Sequence, residues 1–197
     1  MKKNLLFALL VASITACHND STVPTAPNEM PASALVASKL ISIYKYNIAY
    51  NGAAIGYEFK VKANGYVAGL GCASRAIGNY KLTLFKVDTV NKIGSLIASS
   101  SIGITASDTA NFKFKYVNLP SKVAITKGNY YRVALNGDFS AYDYLAFPNG
   151  SNYSLPLPLP SDAKVVFTKG VAGYTNTYPD SEFTTYLFLA DVIIQFP

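Results

Sequence analysis

Between residues 136 and 182 the chain interleaves aromatic rings with carboxylates and amides. The rings are Phe139, Tyr142, Tyr144, Phe147, Tyr153, Tyr174 and Tyr178. The polar partners are Asp138, Asp143, Asn149, Asn152, Asn176, Asp180 and Glu182. A sugar needs this mixture, because a pyranose offers an apolar face that stacks on a ring and a rim of hydroxyls that bond to amides and carboxylates. Tyr142, Asp143, Tyr144, Asn149, Asn152, Tyr153, Tyr174, Asn176 and Tyr178 are the candidate ligand-binding residues. The same composition also arises when tyrosines fill a sheet and loops collect Asn, Asp and Gly for turn geometry, so a turn-and-core reading stands beside the glycan reading. Ca²⁺ takes six to eight oxygens, and Asp138 with Asp143, or Asp180 with Glu182, could supply some of them, although neither pair forms a dense Asp-rich loop. No other cofactor is suggested. Two acids across a cleft would make a glycosidase, but eleven Asp and Glu placed mainly at turns make accidental pairs easy, and a non-catalytic protein is expected.

The remaining chemistry is bounded by composition. One histidine, two cysteines and no tryptophan leave no His-based triad, no multi-Cys zinc site and no disulfide framework. Seventeen Lys and Arg against eleven Asp and Glu give +6, but Lys2 and Lys3 sit at the extreme N-terminus and the others are spread singly. Nucleic-acid binders concentrate basic residues into a patch, so nucleic acid is not an expected partner.

Lys2 and Lys3 precede an apolar run over residues 5–11, too short to span about 30 Å of hydrocarbon as a helix. Ile14, Thr15, Ala16 and Cys17 follow, and they resemble the lipobox of bacterial lipoproteins. That resemblance implies a signal peptide over residues 1–16, cleavage before Cys17 and acylation of its thiol, with several chains giving a durable membrane anchor. His18 stands where an inner-membrane retention signal would carry Asp, which favours the outer membrane of the bacterial cell envelope. Residues 17–38 are rich in Asn, Ser, Thr and Pro with almost no large apolar side chain before Leu35, and read as a flexible stalk.

From residue 39 to 197 the pattern predicts one all-β domain. Tyr57, Phe59 and Val61 alternate with Glu58, Lys60 and Lys62. The same period of two recurs in Tyr80, Leu82 and Leu84, in Phe112, Phe114 and Tyr116, and in Tyr131, Val133 and Leu135. Further strands are expected near 40–49, 66–73, 95–101, 122–126, 143–147, 164–168 and 185–196. Turn residues fall at Asn64-Gly65, Gly78-Asn79, Lys127-Gly128-Asn129 and Asn136-Gly137-Asp138. This spacing predicts a two-sheet antiparallel β-sandwich of jelly-roll or Greek-key type. Cys72, beside Leu70 and Ala73, reads as a buried small hydrophobe. The alternate prolines at 156, 158 and 160 exclude a central strand, so Leu155 and Leu157 should cover an edge or rim of the sandwich.

Several of these residues carry a family resemblance. Gly56, Tyr57, Phe59 and Val61, then Val67, Leu70 and Gly71, then Tyr80, Leu82, Leu84 and Phe85, then Leu96, Ile97 and Ala98, then Phe112 and Phe114, then Val123, Ile125, Gly128, Tyr131 and Val133 form an ordered series. The series resembles an uncharacterised bacterial extracellular domain found in secreted and sorted surface proteins. Phe85 stands where that family carries Trp, and the 87–97 hairpin is longer. The resemblance implies a β-sandwich accessory domain like carbohydrate-binding modules in architecture, without an assigned ligand. The aromatic loops point to a binding module with an extracellular glycan as partner, and the alternative is an adhesion or structural role with an envelope protein as partner.

Overall fold

The computed structural model describes residues 27–39, 41–46, 50–139, 142–146, 155–157, 162–174 and 178–197. The signal segment, Cys17 and the first part of the expected stalk lie outside the described residues. In chain order the elements are β1 (Asn28–Glu29), α1 (Pro31–Ala37), β2 (Ser42–Tyr46), β3 (Tyr50–Val61), β4 (Gly65–Cys72), β5 (Gly78–Asp88) and β6 (Ile93–Ile104). There follow α2 (Ala106–Asn111), β7 (Lys115–Ile125), β8 (Tyr130–Phe139), β9 (Tyr142–Ala146), β10 (Val165–Gly173), β11 (Ser181–Phe183), β12 (Tyr186–Phe188) and β13 (Ala190–Gln195).

The fold is an all-β sandwich of antiparallel sheets, as the alternation requires. One layer is a six-stranded sheet in the order β11-β10-β3-β8-β5-β6. Its inner face follows the period of two: Tyr57, Phe59 and Val61 on β3, Leu82 and Leu84 on β5, Val133 on β8 and Phe167 on β10 are all buried in one core. The facing layer is divided into a four-stranded sheet, β1-β13-β4-β7, and a three-stranded sheet, β12-β9-β2. The division falls at Leu189, where the chain leaves β12 and enters β13.

Several local expectations change. The strands expected at 112–116 and 122–126 are one edge strand, β7, interrupted where residues 119–122 swell out between Asn118, opposite Gly69, and Val123, opposite Val67. Pro120 lies in that swelling, where it breaks no ladder bond. Phe112 leaves the strand to end α2 in the left-handed region, φ 45°. The turn expected at Asn136-Gly137-Asp138 is instead the continuation of β8, because β3 and β5 both pair through it. Gly78 and Asn79 likewise open β5. Gly128 does make its turn, with φ +85°. Leu155 and Leu157 are buried at a rim, Leu157 N–H donating to Phe167 O at 3.3 Å along the part of β10 that β11 does not reach. Cys72 is buried in the core, and loss of hydration pushes its thiol up to about 12, so it packs as an inert hydrophobe.

The clearest departure is α1, which occupies residues assigned above to the stalk. Pro31 at the first turn suits a helix start, and Ala32 and Leu35 bury into the main core. Met30 at the N-cap offers no side-chain acceptor. The cap comes instead from Asp191 on β13: its carboxylate accepts Ala32 N–H at 3.0 Å and Ser33 N–H at 2.9 Å. Composition could not show this, because the partner lies 159 residues away. A chain begun at residue 39 should therefore be less stable than one begun at residue 27 by about 3 kcal/mol or more, from the lost Leu35 burial and the donors withdrawn from Asp191. Paired urea titrations of the two fragments test this, and equal midpoints would refute the packing role of α1.

Candidate functional site

Among the described residues, aromatic side chains line a cleft of about 290 Å³ where the three-stranded sheet meets the six-stranded sheet. Its floor is the inner face of β3 and β10, through Ala53, Ile55 and Ala172. Its walls are Tyr144 from β9, Tyr174 after β10, Phe183 from β11, and Tyr186 and Phe188 from β12. Two of these three floor residues are alanines. At Gly170 a Cβ would come within 2.0 Å of the Tyr186 carbonyl oxygen, so glycine alone lets β12 lie this close to β10.

The rings brace one another. Phe183 and Tyr186 stack at 4.6 Å, Tyr144 meets Tyr186 edge-on at 5.5 Å, and Tyr44 stacks on Tyr144 at 5.7 Å. Such contacts fix ring planes before any ligand arrives. Tyr174 stands out at 67% exposure at the mouth. The tyrosine hydroxyls and Ser181 give the apolar surface hydrogen-bonding groups, and no charged side chain is among the described residues that line it.

Of the expected ligand-binding residues, the structure brings Tyr144 and Tyr174 together here. Tyr142 and Asp143 lie on β9 opposite Tyr46 and Lys45, where only their backbone is described. Asn149, Asn152, Tyr153 and Asn176 lie outside the described residues. Tyr178 is elsewhere, on the opposite face of the six-stranded sheet. Its ring meets Phe85 at 5.3 Å, the Arg132 guanidinium lies 4.8 Å from its centroid, and a Cβ at Gly94 would come within 2.1 Å of it. Burial, more than its charged neighbours, raises its hydroxyl pKa. Tyr178 is thus a packing lid and not part of the cleft. Sequence reasoning missed Phe183, Tyr186 and Phe188, because Tyr186 and Phe188 read only as part of the closing strand and Phe183 lies ahead of it.

The carboxylates expected to hold Ca²⁺ are also otherwise engaged or apart. Asp138 accepts Gly52 N–H at 2.7 Å and so fastens the irregular turn of β3, where Gly52 has φ 63°. Asp180 is exposed just before β11. Glu182 is bound by two cations, Arg132 and Lys169, the latter at 2.6 Å. Among the described residues no three His, Cys, Asp or Glu gather into a group that could hold a metal ion.

The Glu182 pairing belongs to a buried network that the sequence did not announce. Glu58 and Arg132 are direct neighbours across β3 and β8, and both were expected on a half-solvated face. They are buried instead, because residues 178–183 cross that face and cover them. Arg132 Nη2 pairs with Glu58 at 2.8 Å and with Glu182, and Arg132 Nη1 donates to the Pro179 carbonyl at 2.6 Å. Arg132 Nε also donates to Glu58 at 2.9 Å, so all three guanidinium nitrogens are engaged and the cluster fastens β11, and hence Ser181 and Phe183 on the cleft side, to the sheet.

For Glu182, burial raises the carboxyl pKa, but the bonds from Lys169 and Arg132 outweigh it and hold the group below the ordinary glutamate value. A depressed folded-state pKa contributes stability that is present above the unfolded value of about 4.3 and is lost as pH falls through the lower folded value. Glu182→Gln should therefore melt below the wild type at pH 7, with the difference shrinking below about pH 4. Thermal melts across that range check the sign. A depressed pKa is also the wrong direction for the protonated acid of a glycosidase pair.

No protein-family model matches the chain, and no curated protein matches it.

Proposed function

We propose that the protein is a non-catalytic, lipid-anchored module of the bacterial cell envelope that binds the ring of an uncharged sugar in the aromatic cleft. The observation that carries this reading is the prebuilt wall of Tyr144, Phe183 and Tyr186 over a floor of Ala53, Ile55 and Ala172, with Tyr174 at the mouth. A sugar's C–H face would lie on the rings, and its hydroxyls would meet the tyrosine hydroxyls and Ser181. The absence of charge among the described lining residues favours neutral hexoses over uronic or sialic acids, which would lose hydration without gaining a counter-charge. The lipobox-like run Ile14, Thr15, Ala16 and Cys17 supports the envelope location, and the resemblance to bacterial surface domains supports a role outside the cell. A protein-binding role is the second reading, favoured by Val90, Ile93 and Leu96, which stand exposed together at the β5–β6 hairpin.

A glycan array probed with residues 27–197 tests the sugar reading. Binding to neutral glycans, weakened roughly 2- to 13-fold by Tyr174→Ala through loss of about 0.5–1.5 kcal/mol of ring contact, is expected. Tyr174 is mostly exposed, so its truncation should leave the fold intact. Silence on neutral glycans, or binding indifferent to Tyr174 and Tyr144, counts against it.

A further inference from the structure

We infer that the end of the sandwich at which the chain enters is a membrane-docking surface, seating the domain on anionic phospholipid headgroups. Along the sequence the lysines come singly, but strand register gathers them. Val61 on β3 pairs with Val165 on β10, Lys60 with Tyr130 on β8, and Val87 on β5 with Tyr130 and with Gly94 on β6. These residues form one end of the six-stranded sheet. The turn at 62–64 carries the chain from β3 straight into β4, so Gly65, opposite Ile125, and Tyr66, opposite Gln195, lie at the same end of the facing layer. Bonds across the end knit it together: Lys62 N–H donates to Lys164 O at 2.8 Å, and Lys127 N–H to Asn64 Oδ1 at 2.8 Å.

Lys60, Lys62, Lys86, Lys92, Lys127 and Lys164 all lie at this end. Against them stand Glu29, Asp88, Asp162 and the chain's last residue, Pro197. Asp88 is turned into its own hairpin, where it accepts Val90 N–H at 2.9 Å, Asn91 N–H at 3.2 Å and Asn91 Nδ2 at 2.7 Å. The surplus is positive. Attraction of a lysine to an anionic bilayer falls off within a Debye length, so charges gathered on one end act together where charges spread over a whole surface do not. Tyr66, 46% exposed, and Val90, 85% exposed at the hairpin tip, stand among them, a ring and an apolar tip suited to headgroup depth.

A membrane is the occupant that the path of the chain selects. Residue 27 precedes β1, and Asn28 pairs with Gln195, so the chain enters at this end. Residues 17–27 reach no farther than about 35 Å even fully extended, so a lipid on Cys17 keeps this end close to the bilayer at high local concentration. The cleft opens at the other end, since Gly173 pairs with Ala54 and Tyr174 follows it. Docking through the lysines therefore leaves the cleft facing away from the lipid. The inference rests on the envelope reading for the presence of a bilayer, and not on the sugar reading.

Co-sedimentation of the full-length chain carrying Cys17→Ser, which cannot be acylated, with vesicles of phosphatidylcholine, alone or mixed with phosphatidylglycerol, tests it. A preference for the anionic vesicles is expected, lost at high salt and reduced roughly 100-fold in the triple variant Lys62→Gln, Lys92→Gln, Lys127→Gln, at about fivefold per lysine. All three side chains are exposed, and residues 1–16 are common to every protein compared, so the ratio reads the domain. A control variant, Lys45→Gln, Lys81→Gln, Lys113→Gln, removes the same charge away from this end and should keep the preference. No anionic preference, an unchanged first variant, equal losses in both variants, or tighter binding to duplex DNA than to the vesicles each overturn the proposal. If the first variant fails to fold, amide hydrogen exchange of the unsubstituted domain on anionic vesicles decides: protection gained at 62–66 and 89–93 supports docking, and protection gained elsewhere or nowhere overturns it. Mass spectrometry of the natural sequence expressed in a bacterial host separates docking from the anchor. An acylated Cys17 with an indifferent lysine variant sinks docking alone, whereas lysine-dependent vesicle binding with an unmodified Cys17 supports docking and sinks the anchor.

Discussion

Arg132→Met is expected to lower the free energy of unfolding by about 3–5 kcal/mol. The magnitude follows from what is left behind. Glu58 and Arg132 side chains are 4% and 2% exposed, so removing the guanidinium strands a carboxylate that water cannot reach. The Pro179 carbonyl loses its donor and Tyr178 loses the cation beneath its ring. Replacing both partners, as Glu58→Leu with Arg132→Met, should recover most of the loss, because a buried ion pair is worth little against well-packed apolar side chains. Urea titrations of the two single variants and the double variant measure the coupling. A loss under about 1 kcal/mol for Arg132→Met would mean that the pair is hydrated and the network is not a fastening. The functional consequence is directional: Glu182 and Phe183 are successive residues of β11, so loosening one side of that strand loosens the wall of the cleft on the other.

Asp191→Ala should cost about 3 kcal/mol or more, with Asp191→Asn costing less. The carboxylate collects five donors. Oδ1 accepts Ala32 N–H, Val192 N–H and the Tyr57 hydroxyl at 3.0, 2.9 and 3.1 Å. Oδ2 accepts Ser33 N–H at 2.9 Å and the Tyr116 hydroxyl at 2.7 Å. Burial raises the Asp191 pKa, and the bonds from Ala32, Tyr116, Ser33 and Val192 oppose that shift. Burial likewise pushes the Tyr57 and Tyr116 hydroxyls well above their usual value, with the Asp191 charge adding to it, so both remain donors. Alanine orphans all five donors. Asparagine keeps one acceptor oxygen, and the Tyr116 hydroxyl can turn to accept from the new amide, but Ser33 N–H cannot turn. The predicted order of midpoints is wild type, then Asn, then Ala, and an Ala variant as stable as wild type would remove Asp191 from its place as the remote cap of α1.

The sandwich was legible because burial on one face of a strand writes itself into the sequence with period two, as in Tyr57, Phe59 and Val61. Residue type could not say what covers the other face. Glu58 and Arg132 look like solvated alternates until residues 178–183 are known to lie over them, and that crossing is a tertiary fact. In the same way a Pro- and Ser-rich segment looks unable to fold until Asp191 supplies the cap and the core receives Leu35. The cleft was half legible. Tyr144 and Tyr174 stand out as tyrosines in a loop-rich region, whereas Phe183, Tyr186 and Phe188 carry the ordinary composition of a strand. Tyr178 shares the composition of a site and serves as packing, because Gly94 leaves room for its ring on the far face.

The most direct measurement is an NMR titration of residues 27–197 with neutral oligosaccharides, following aromatic ¹H–¹³C resonances. The proposed function predicts shifts confined to Tyr144, Tyr174, Phe183 and Tyr186, with Tyr178 and Tyr131 unmoved as internal controls. Shifts centred on Tyr178 and Phe85, or saturation with none at all, would contradict it.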